Sequence, residues 1–577
     1  MNIFTNALVL LSLAFAVVPR SEGAPTSKFT QSKFTPMIDT YFNGYFAHNP
    51  TAATAAGFHQ YDNQIEDYSK SEVARQIEFA DQWLRKIESF PDKDLTSDEK
   101  NDKELLVSGL KASLLELVNV KSWEKNPDHY SSGLSSSIFG IISRNFASPE
   151  ERVKSVIARE KKAPAIFAAA RENLKNPPQI FTEIAMEQLP GIVSFFQNDV
   201  VQAFNGIKDE KLAHEFKVVN DAAILELKRY ALFLRDEILP RSHGDFKLGK
   251  ENFEKKLLYE EMVDIPLDKL LKIGEENLRA NQAALRKVAS EIDSKKSFQE
   301  IFVEQAKDHP APEDLLKSVR DLLQGLKTFL QVHHIVTVPS QVLPIVEETP
   351  AFLRALTFAS MDTPGPYESV AKEAYFNVTL PEKDWPAKQI EEHMVGFTYA
   401  ITSNTAVHEA YPGHYIQFLT LKNVKSKVRK LVGCNSNAEG WAHYSEQMML
   451  DEGYGNHDPK LRMGQIIDAL LRNARYIVGI QMHTGKMTYE QAIDYFVNEG
   501  YQSRTNAERE VKRGTTDPTY LYYTLGKLEI LKLREDYKAK LGKKFSLQKF
   551  HDEFLKQGFP PIKIIRRVML GNDSLTL

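Results

Sequence analysis

Two histidines and a glutamate lie close together in residues 407–417, VHEAYPGHYIQ. His408 and Glu409 are adjacent, and His414 follows six residues after His408. Zinc in proteins is bound by imidazole nitrogens and carboxylate oxygens, and a catalytic zinc keeps one position for water. The segment therefore offers two metal ligands and a neighbouring carboxylate that could act as a general base.

The spacing of the two histidines differs from that of a regular zinc-binding helix, in which they are four residues apart. Successive residues of an α-helix are rotated by about 100°, so positions six apart point about 120° away from each other. Pro412 cannot donate a helical hydrogen bond, and Gly413 adopts backbone conformations closed to other residues. We therefore predict that these two residues distort the helix and turn His414 towards the ion that His408 binds. The alternative is that the polar residues are ordinary surface or core residues.

A second segment, residues 435–450, has the helical pattern NSNAEGWAHYSEQMML and provides a candidate third ligand. Glu439, His443 and Glu446 are spaced i, i+4 and i+7, so they share one helix face. We predict Glu439 as the third ligand and Glu446 as a residue that orients a ligand imidazole. His443 is the alternative ligand, and an exposed polar stripe is the alternative structure.

These motifs resemble those of a known family. HEAYPGH followed by AEGWAHYSE resembles H-E-x-x-P-G-H followed by E-G-W-A-x-Y-x-E, the mark of the domain-of-unknown-function 885 family. That family is large, mostly uncharacterised and ascribed to the zinc peptidases. Residues 48–62, HNPTAATAAGFHQYD, are similar to its N-terminal segment, and REVKRGTTDPTYLYYTLGKLEILKLRED and FSLQKFHDEFLKQGFPP are similar to its C-terminal segments.

The resemblance implies a mostly helical fold related to carboxypeptidase Taq and thimet oligopeptidase, with one zinc ion per chain in a deep cleft. It implies His408, His414 and Glu439 as the zinc ligands and Glu409 as the catalytic base. The His-His-Glu set suits zinc better than other divalent ions.

Further residues are candidates for contact with substrate. Tyr523 matches the family tyrosine near Leu-Gly-Lys and is our choice as the donor to the developing oxyanion. Tyr522 and His393 are weaker candidates, and an aromatic packing role is the alternative for Tyr523. Arg513 could pair with a substrate carboxylate through its planar guanidinium group, or it could be a solvated surface residue.

Helical periodicity dominates the elements that must position these residues. Apolar residues recur at helical intervals, opposite a charged face, in five segments, which predicts helices. These segments are residues 71–90, 97–120, 148–174, 221–239 and 266–292.

Strand patterns are few. Residues 334–340, HIVTVPS, and 374–381, AYFNVTLP, carry β-branched or aromatic residues bounded by proline, which predicts strands. We predict a mainly α fold, a large helical metallopeptidase-like structure with a deep cleft and a small β-sheet near the metal-binding helix. A helical N-terminal part, residues 24–325, and a C-terminal metal-site part, residues 326–577, would form one catalytic unit.

The N-terminus predicts export. Residues 7–18, ALVLLSLAFAVV, are apolar but too few for a bilayer span, which needs about 20 residues. With the small residues that follow, they predict a signal peptide over residues 1–23, and a buried helix is the alternative. We predict a secreted or extracellular protein, with the lysosome or another secretory-pathway lumen as alternatives. Asn377 and Asn572 begin N-x-S/T triplets, which predicts N-glycosylation.

The composition limits the partners. The chain of 577 residues has a net charge of −4, which provides no basic field for nucleic acid. Cys434 is the only cysteine, so no intramolecular disulfide can form. No stable membrane insertion is predicted, and the oligomeric state is left open.

Together these features predict a secreted zinc metallopeptidase that acts on peptides, as a carboxypeptidase or an oligopeptidase. The alternatives are a catalytically silent metal-binding or peptide-binding protein, a hydrolase of a non-peptide amide, and a helical scaffold without metal.

Overall fold

The computed structural model describes residues 33–350, 354 and 357–577, so the predicted signal peptide lies outside the described residues. The predicted mainly α fold is confirmed. The first helices are α1 Phe34–His48, α2 Pro50–Ala56, α3 Lys70–Glu88, α4 Ser97–Leu114, α5 Ser122–Lys125, α6 Asp128–Ile142, α7 Pro149–Glu160, α8 Ala163–Asn173, α9 Gln179–Gln197, α10 Asp199–Ala203, α11 Glu210–Phe233, α12 Lys250–Glu260, α13 Leu267–Ile292, α14 Phe298–Gln305 and α15 Leu315–Val332.

The remaining helices follow the sheet in the chain. They are α16 Ala387–Met394, α17 Tyr399–Glu409, α18 His414–Leu421, α19 Lys427–Leu431, α20 Asn435–Asp451, α21 Pro459–His483, α22 Tyr489–Asn498, α23 Arg504–Thr516, α24 Tyr522–Leu541, α25 Leu547–Leu555 and α26 Ile562–Leu570. Among the described helices, none has both the length and the apolar character needed to cross a bilayer.

The five predicted helical segments are helical, and local capping explains where several of them begin. Thr96 caps α4 and Ser148 caps α7, each in a capping box with the glutamate three residues later. The segment 148–174 forms two helices, because Pro164 has no N–H to donate and fits only in the first turn of a new helix.

A small sheet precedes the helices of the candidate site. Its strands are β1 Ile345–Glu348, β2 Ala359–Asp362 and β3 Tyr375–Val378, in the order β1-β3-β2. β1 is parallel to β3, and β2 is antiparallel to it. The strand predicted at 374–381 is confirmed as β3, whereas β1 and β2 were not predicted.

The strand predicted at residues 334–340 is wrong. Ile335 and Val336 are buried, which explains the β-like pattern, but the backbone there pairs with side chains of α25. His551 donates to the carbonyl of Ile335 at 2.7 Å, and Asp552 accepts the N–H of Thr337 at 2.9 Å. With these groups paired to side chains, the segment does not pair with a strand.

One predicted glycosylation site does not fit the fold. Asn377 lies on the central strand β3 and is 2% exposed, so the folded chain leaves no room for a glycan there. Asn572 is exposed after α26, and glycosylation there stays a prediction.

Hydrophobic packing joins distant parts of the chain. One cluster combines residues of α12, α13 and α14 with residues of α21 and α24. Another combines α1 to α4 with Val428 of α19 and Ile564 of α26. The predicted boundary between residues 325 and 326 falls inside α15, and the division into two parts stays a prediction.

Candidate metal centre

The HE segment forms the end of one helix and the start of another. His408 and Glu409 are the last two residues of α17, and His414 is the first residue of α18. The four residues between them are not helical, and the Tyr411–Pro412 peptide bond is cis. The predicted distortion of a single helix is therefore replaced by a complete break, which brings the two histidines to the same place.

Gly413 is needed for space. A Cβ atom at this position would lie 1.8 Å from the carbonyl oxygen of His408, closer than any real contact. The Gly413 N–H donates to the carbonyl of Val407 at 3.0 Å, which closes the turn onto the end of α17.

The two histidines and Glu439 of α20 converge. One carboxylate oxygen of Glu439, Oε2, lies 3.2 Å from Nε2 of His408 and 3.4 Å from Nε2 of His414. The three possible ligand atoms lie within 4.8 Å of one another. The imidazole rings are 5.0 Å apart and almost perpendicular, at 88°. Among the described residues, this is the group of three that could hold a metal ion.

Two distances within this cluster match those of a tetrahedral metal site. Ligands about 2.0–2.1 Å from a zinc ion lie about 3.4 Å apart along a tetrahedron edge. The two measured distances from the Glu439 oxygen agree with that edge. The three side chains could therefore hold a small divalent ion, with one tetrahedral position left for water or substrate.

Each imidazole is held by a hydrogen bond on its other nitrogen. Nδ1 of His408 lies 2.7 Å from a carboxylate oxygen of Glu446, which is fully buried. Nδ1 of His414 lies 3.0 Å from the amide oxygen of Gln417. Both Nδ1 atoms therefore donate, and both Nε2 lone pairs are directed to the cluster. Glu446 has the contact that was predicted for it.

The carboxylates give the centre a strong attraction for positive charge. Burial lowers the pKa of His408, but its hydrogen bonds to Glu439 and Glu446 outweigh burial and raise the pKa to about 9. Burial alone would raise the pKa of Glu439, but His414 and His408 hold it well below its usual range. Groups that stabilise an added proton in this way also stabilise a metal cation.

Glu409 lies beside the cluster without belonging to it. Its Oε2 accepts the backbone N–H of Met361, on β2, at 3.0 Å. Burial raises the pKa of Glu409, and the charge of Glu439 raises it further, against the opposing effect of the two imidazoles. A carboxyl group with a raised pKa is suited to accept a proton and to return it.

Tyr523, near the start of α24, lies against the centre. Its ring is 6.2 Å from the ring of His408, and the two are stacked. Arg513 donates to its phenolic oxygen at 3.1 Å. Burial and the charge of Glu439 raise the pKa of Tyr523, so its hydroxyl group stays protonated at neutral pH.

Three arginines surround the Tyr523 ring. The guanidinium carbons of Arg472, Arg475 and Arg513 lie 5.6, 5.2 and 5.8 Å from its centroid. Arg472 and Arg475 each pair with a buried glutamate. Arg513 pairs with Asp517 at 3.2 Å and keeps 39% of its side chain exposed. It is the arginine of the three that solvent, and hence a substrate, can reach.

Two other predicted residues lie outside the cluster. Nδ1 of His443 contacts Glu446 at 2.9 Å, so the alternative ligand lies behind the carboxylate that orients His408. Nε2 of His393 donates to the carbonyl of Thr379 at 2.8 Å, and its ring packs against Phe358, Trp385 and Phe397. These bonds do not join His443 or His393 to the three candidate ligands.

The sequence matches, over residues 50–569, a family described as bacterial proteins of unknown function, DUF885. The chain belongs to this family. The family that the motifs predicted is thereby confirmed. No protein with a curated description matches the sequence.

Two solved structures resemble this DUF885 chain over almost its whole length. A candidate lipoprotein of unknown function from Shewanella oneidensis is 28% identical in sequence. The match covers 93% of this chain and 100% of that chain, with a TM-score of 0.77. A candidate lipoprotein from Colwellia psychrerythraea is 18% identical in sequence. The match covers 94% of this chain and 99% of that chain, also with a TM-score of 0.77. The second likeness shows the shared fold.

Four residues of the centre were not found by sequence reasoning. Gln417 follows His414 by one helical turn, and that spacing is the pattern that could have revealed it. Trp441, inside the EGWA motif, donates its indole N–H to the carbonyl of Pro412 at 2.9 Å. Arg472 and the Met361 N–H come from segments without a motif, and only the fold brings them to the centre.

Proposed function

We propose that this DUF885 protein is a zinc-dependent metallopeptidase that hydrolyses peptides. The observation that supports the proposal is the convergence of His408, His414 and Glu439 within 4.8 Å, with Glu409 beside them. Two imidazoles and one carboxylate are a donor set of catalytic zinc, and the nearby glutamate is the usual general base of such sites.

Each of these residues has a role in the proposed reaction. Bound zinc would lower the pKa of a coordinated water and polarise the substrate carbonyl. Glu409 would accept the proton of the attacking water and return it to the leaving amine. The N–H of Met361 would hold the Glu409 carboxylate in place between the two transfers.

Tyr523 and Arg513 would act on the substrate. Because Arg513 donates to the phenolic oxygen, the Tyr523 hydroxyl hydrogen can be directed to the oxyanion of the transition state. The exposed part of Arg513 would pair with a substrate carboxylate. A carboxypeptidase or an oligopeptidase would both use these contacts.

Export from the cytoplasm is part of the proposal. The apolar run at residues 7–18 supports a cleaved signal peptide. The structure from Shewanella oneidensis is described as a candidate lipoprotein, a class of exported protein, and this agrees with an exported chain. A catalytically silent metal-binding protein is the second candidate, and it differs from the enzyme in one measurable property.

That property is cleavage. Metal analysis of the purified wild type and of Glu409→Gln should give one zinc per chain in both, because Glu409 is not in the ligand cluster. Digestion of a peptide library should give products with the wild type and none with Glu409→Gln. Glu452→Gln, an exposed substitution just after α20, is the control and should cleave like the wild type.

Two outcomes would contradict the proposal. Equal cleavage by Glu409→Gln would remove Glu409 from the reaction. Bound zinc without cleavage by any of the three proteins would favour the silent metal-binding protein.

A further inference from the structure

The N-terminal segment that resembles the family, residues 48–62, carries a histidine that the proposed reaction does not use. His59 lies between two carboxylates from different parts of the chain. Its Nδ1 is 2.9 Å from Oδ2 of Asp62, and its Nε2 is 2.7 Å from Oε2 of Glu368. Neutral imidazole has only one N–H, so this geometry favours the imidazolium form, in which both nitrogens donate.

The backbone around His59 is fitted closely to the loop that carries Glu368. Gly57 has a φ of +100°, and a Cβ atom there would lie 2.3 Å from the backbone nitrogen of Glu368. A Cβ atom on Gly365 would lie 2.0 Å from the carbonyl oxygen of Ala55. The N–H of Tyr367 donates to the carbonyl of Ala56 at 2.9 Å. The end of α2 and this loop therefore form one tight interface.

Glu368 orders the loop from within. Its Oε1 accepts the N–H groups of Val370 at 2.6 Å and of Ala371 at 3.1 Å, while Oε2 contacts His59. The Glu368 side chain is 4% exposed, so its charge needs these donors. His59 is the donor that comes from outside the loop.

This loop connects β2 to β3, and β2 reaches the metal centre. Met361 of β2 donates its N–H to Glu409 at 3.0 Å. The next residue, Asp362, pairs with Arg144, which follows α6. The loop after Asp362 is held at Glu368 by His59. Besides its pairing with β3, β2 and the loop that follows it therefore have two contacts with the N-terminal half.

We propose that His59 is a positioning residue: held between Asp62 and Glu368, it fixes the β2–β3 loop and so the Met361 N–H that orients Glu409. The catalytic part of this inference rests on the proposed function. The structural part of the inference, that His59 keeps β2 ordered, does not rest on the proposed function.

The groups that face this contact come from several elements. Asp62 accepts from Thr54 at 2.7 Å, and its backbone carbonyl accepts from the buried Arg159 of α7 at 2.7 Å. The ring of Phe146 stacks on His59 at 3.9 Å. The charge of Lys422, after α18, also interacts with Glu368.

The charges around His59 favour its imidazolium form, because together they raise its pKa above the ordinary value. The hydrogen bond to Asp62 is the largest cause of its raised pKa, followed by the opposing effect of burial and then by the bond to Glu368. The stability that the charged contact contributes is therefore fully present below about pH 6.5, the ordinary pKa of histidine, and is lost as the pH rises through the raised pKa.

The test compares full-length wild type with His59→Gln, Glu368→Gln and the control His214→Gln, in which the histidine is exposed on α11. Hydrogen exchange of the peptide that contains Met361 should be about tenfold faster in both loop variants and unchanged in the control, because both weaken the anchoring of the loop. Zinc content should stay at the wild-type level in all four proteins.

Activity gives a second readout. On a peptide that the wild type cleaves, kcat of both loop variants should fall about tenfold with KM nearly unchanged, since a misplaced base slows the chemical step without weakening binding. The difference in melting temperature between wild type and His59→Gln should be larger at pH 6 than at pH 9.

Three outcomes decide the inference. Wild-type exchange at Met361 and wild-type kcat in His59→Gln would overturn it. If His59→Gln fails to fold, Glu368→Gln must show the faster exchange, and normal exchange there would overturn it. If the wild type cleaves no peptide, the proposed function fails, whereas faster exchange in the loop variants would still support the positioning role.

Discussion

Glu446 is a buried carboxylate that contacts three side chains behind the metal centre. It lies 2.7 Å from Nδ1 of His408, 2.9 Å from Nδ1 of His443 and 3.0 Å from Nη2 of Arg472. Burial opposes the charged form of Glu446, but Arg472 and the histidines outweigh burial and hold its pKa well below the usual range. The negative charge that raises the basicity of His408 is therefore permanent.

Tyr523 is the residue whose chemical role is tested by removing a single atom. In Tyr523→Phe, we expect kcat to fall about 10²–10³-fold, the loss found when one oxyanion donor is removed. The zinc content should not change, because the hydroxyl group is not among the ligand atoms. Steady-state kinetics on the best peptide of the library digest would measure the effect.

Tyr522→Phe is the matched control for this substitution. The Tyr522 hydroxyl group donates to Asp517 at 2.8 Å, so its loss should change kcat much less than the loss of the Tyr523 hydroxyl group. A larger fall in kcat for Tyr522→Phe than for Tyr523→Phe would instead assign the oxyanion donor to Tyr522.

At the scale of elements, two glycines let α20 and α24 cross at very close range. A Cβ atom on Gly440 would lie 2.5 Å from Cα of Gly526, and one on Gly526 would lie 1.8 Å from the carbonyl of Ser436. Gly440 follows the candidate ligand Glu439, and Gly526 follows Tyr523 by one turn of α24. The crossing therefore places a candidate metal ligand and the candidate oxyanion donor beside each other.

Gly440→Ala should push the two helices apart. The added methyl group meets backbone atoms that cannot rotate away, so we expect a lower free energy of unfolding and weaker zinc binding. Gly325→Ala is the control, because that glycine lies in α15 and no atom of the described residues lies within 4 Å of the added Cβ. By helix propensity it should stabilise by up to about 1 kcal/mol.

Urea unfolding and a zinc titration against a chelator would measure both variants. If Gly440→Ala binds zinc as tightly as Gly325→Ala, the close crossing is not needed for the metal centre.

The helices of this fold were predictable because their starts are encoded locally, as the capping boxes at Thr96 and Ser148 illustrate. The three candidate ligands were predictable because two short motifs contain them. The break between α17 and α18 was predicted only as a distortion of one helix. The turn at the break is held by Trp441 of α20, a contact that the local sequence does not contain. The wrong strand prediction at residues 334–340 also results from a long-range contact. The backbone of this segment pairs with His551 and Asp552, which lie far along the chain.

At the scale of the whole molecule, the centre depends on contacts from the N-terminal half. Glu261, after α12, accepts the N–H groups of Asn435 at 3.3 Å and Ser436 at 2.9 Å, at the start of α20. A carboxylate is favourable at a helix N-terminus, where unpaired N–H groups lie. Asp102 of α4 accepts from Arg429 of α19 at 2.9 Å. Sequence patterns contain neither contact, because each pair comes from separate elements.

A buried histidine also joins distant elements and gives the fold a dependence on pH. Nδ1 of His551 donates to the carbonyl of Ile335 at 2.7 Å, and its Nε2 accepts from the Tyr444 hydroxyl at 2.9 Å. Both nitrogens are thus paired in the neutral form. Burial lowers the pKa of His551 to about 3, so the folded protein resists its protonation.

The sign of the effect follows from this lowered pKa. Between pH 6.5 and about 3 the unfolded chain binds a proton at His551 that the folded chain does not bind, so stability falls as the pH falls. One such group contributes up to about 1.4 kcal/mol per pH unit, hence up to about 2 kcal/mol between pH 6.5 and 5. In His551→Asn, where residue 551 does not titrate, the loss of unfolding free energy over this interval should be smaller by that amount.

His214→Asn is the control. It should lose as much unfolding free energy as the wild type, because that histidine is exposed. Urea unfolding of the three proteins at pH 6.5 and pH 5 measures this difference in loss. The candidate metal ligands are the same in all three proteins, so their titration cancels. Equal losses in His551→Asn and the wild type would mean that folding does not lower the pKa of His551.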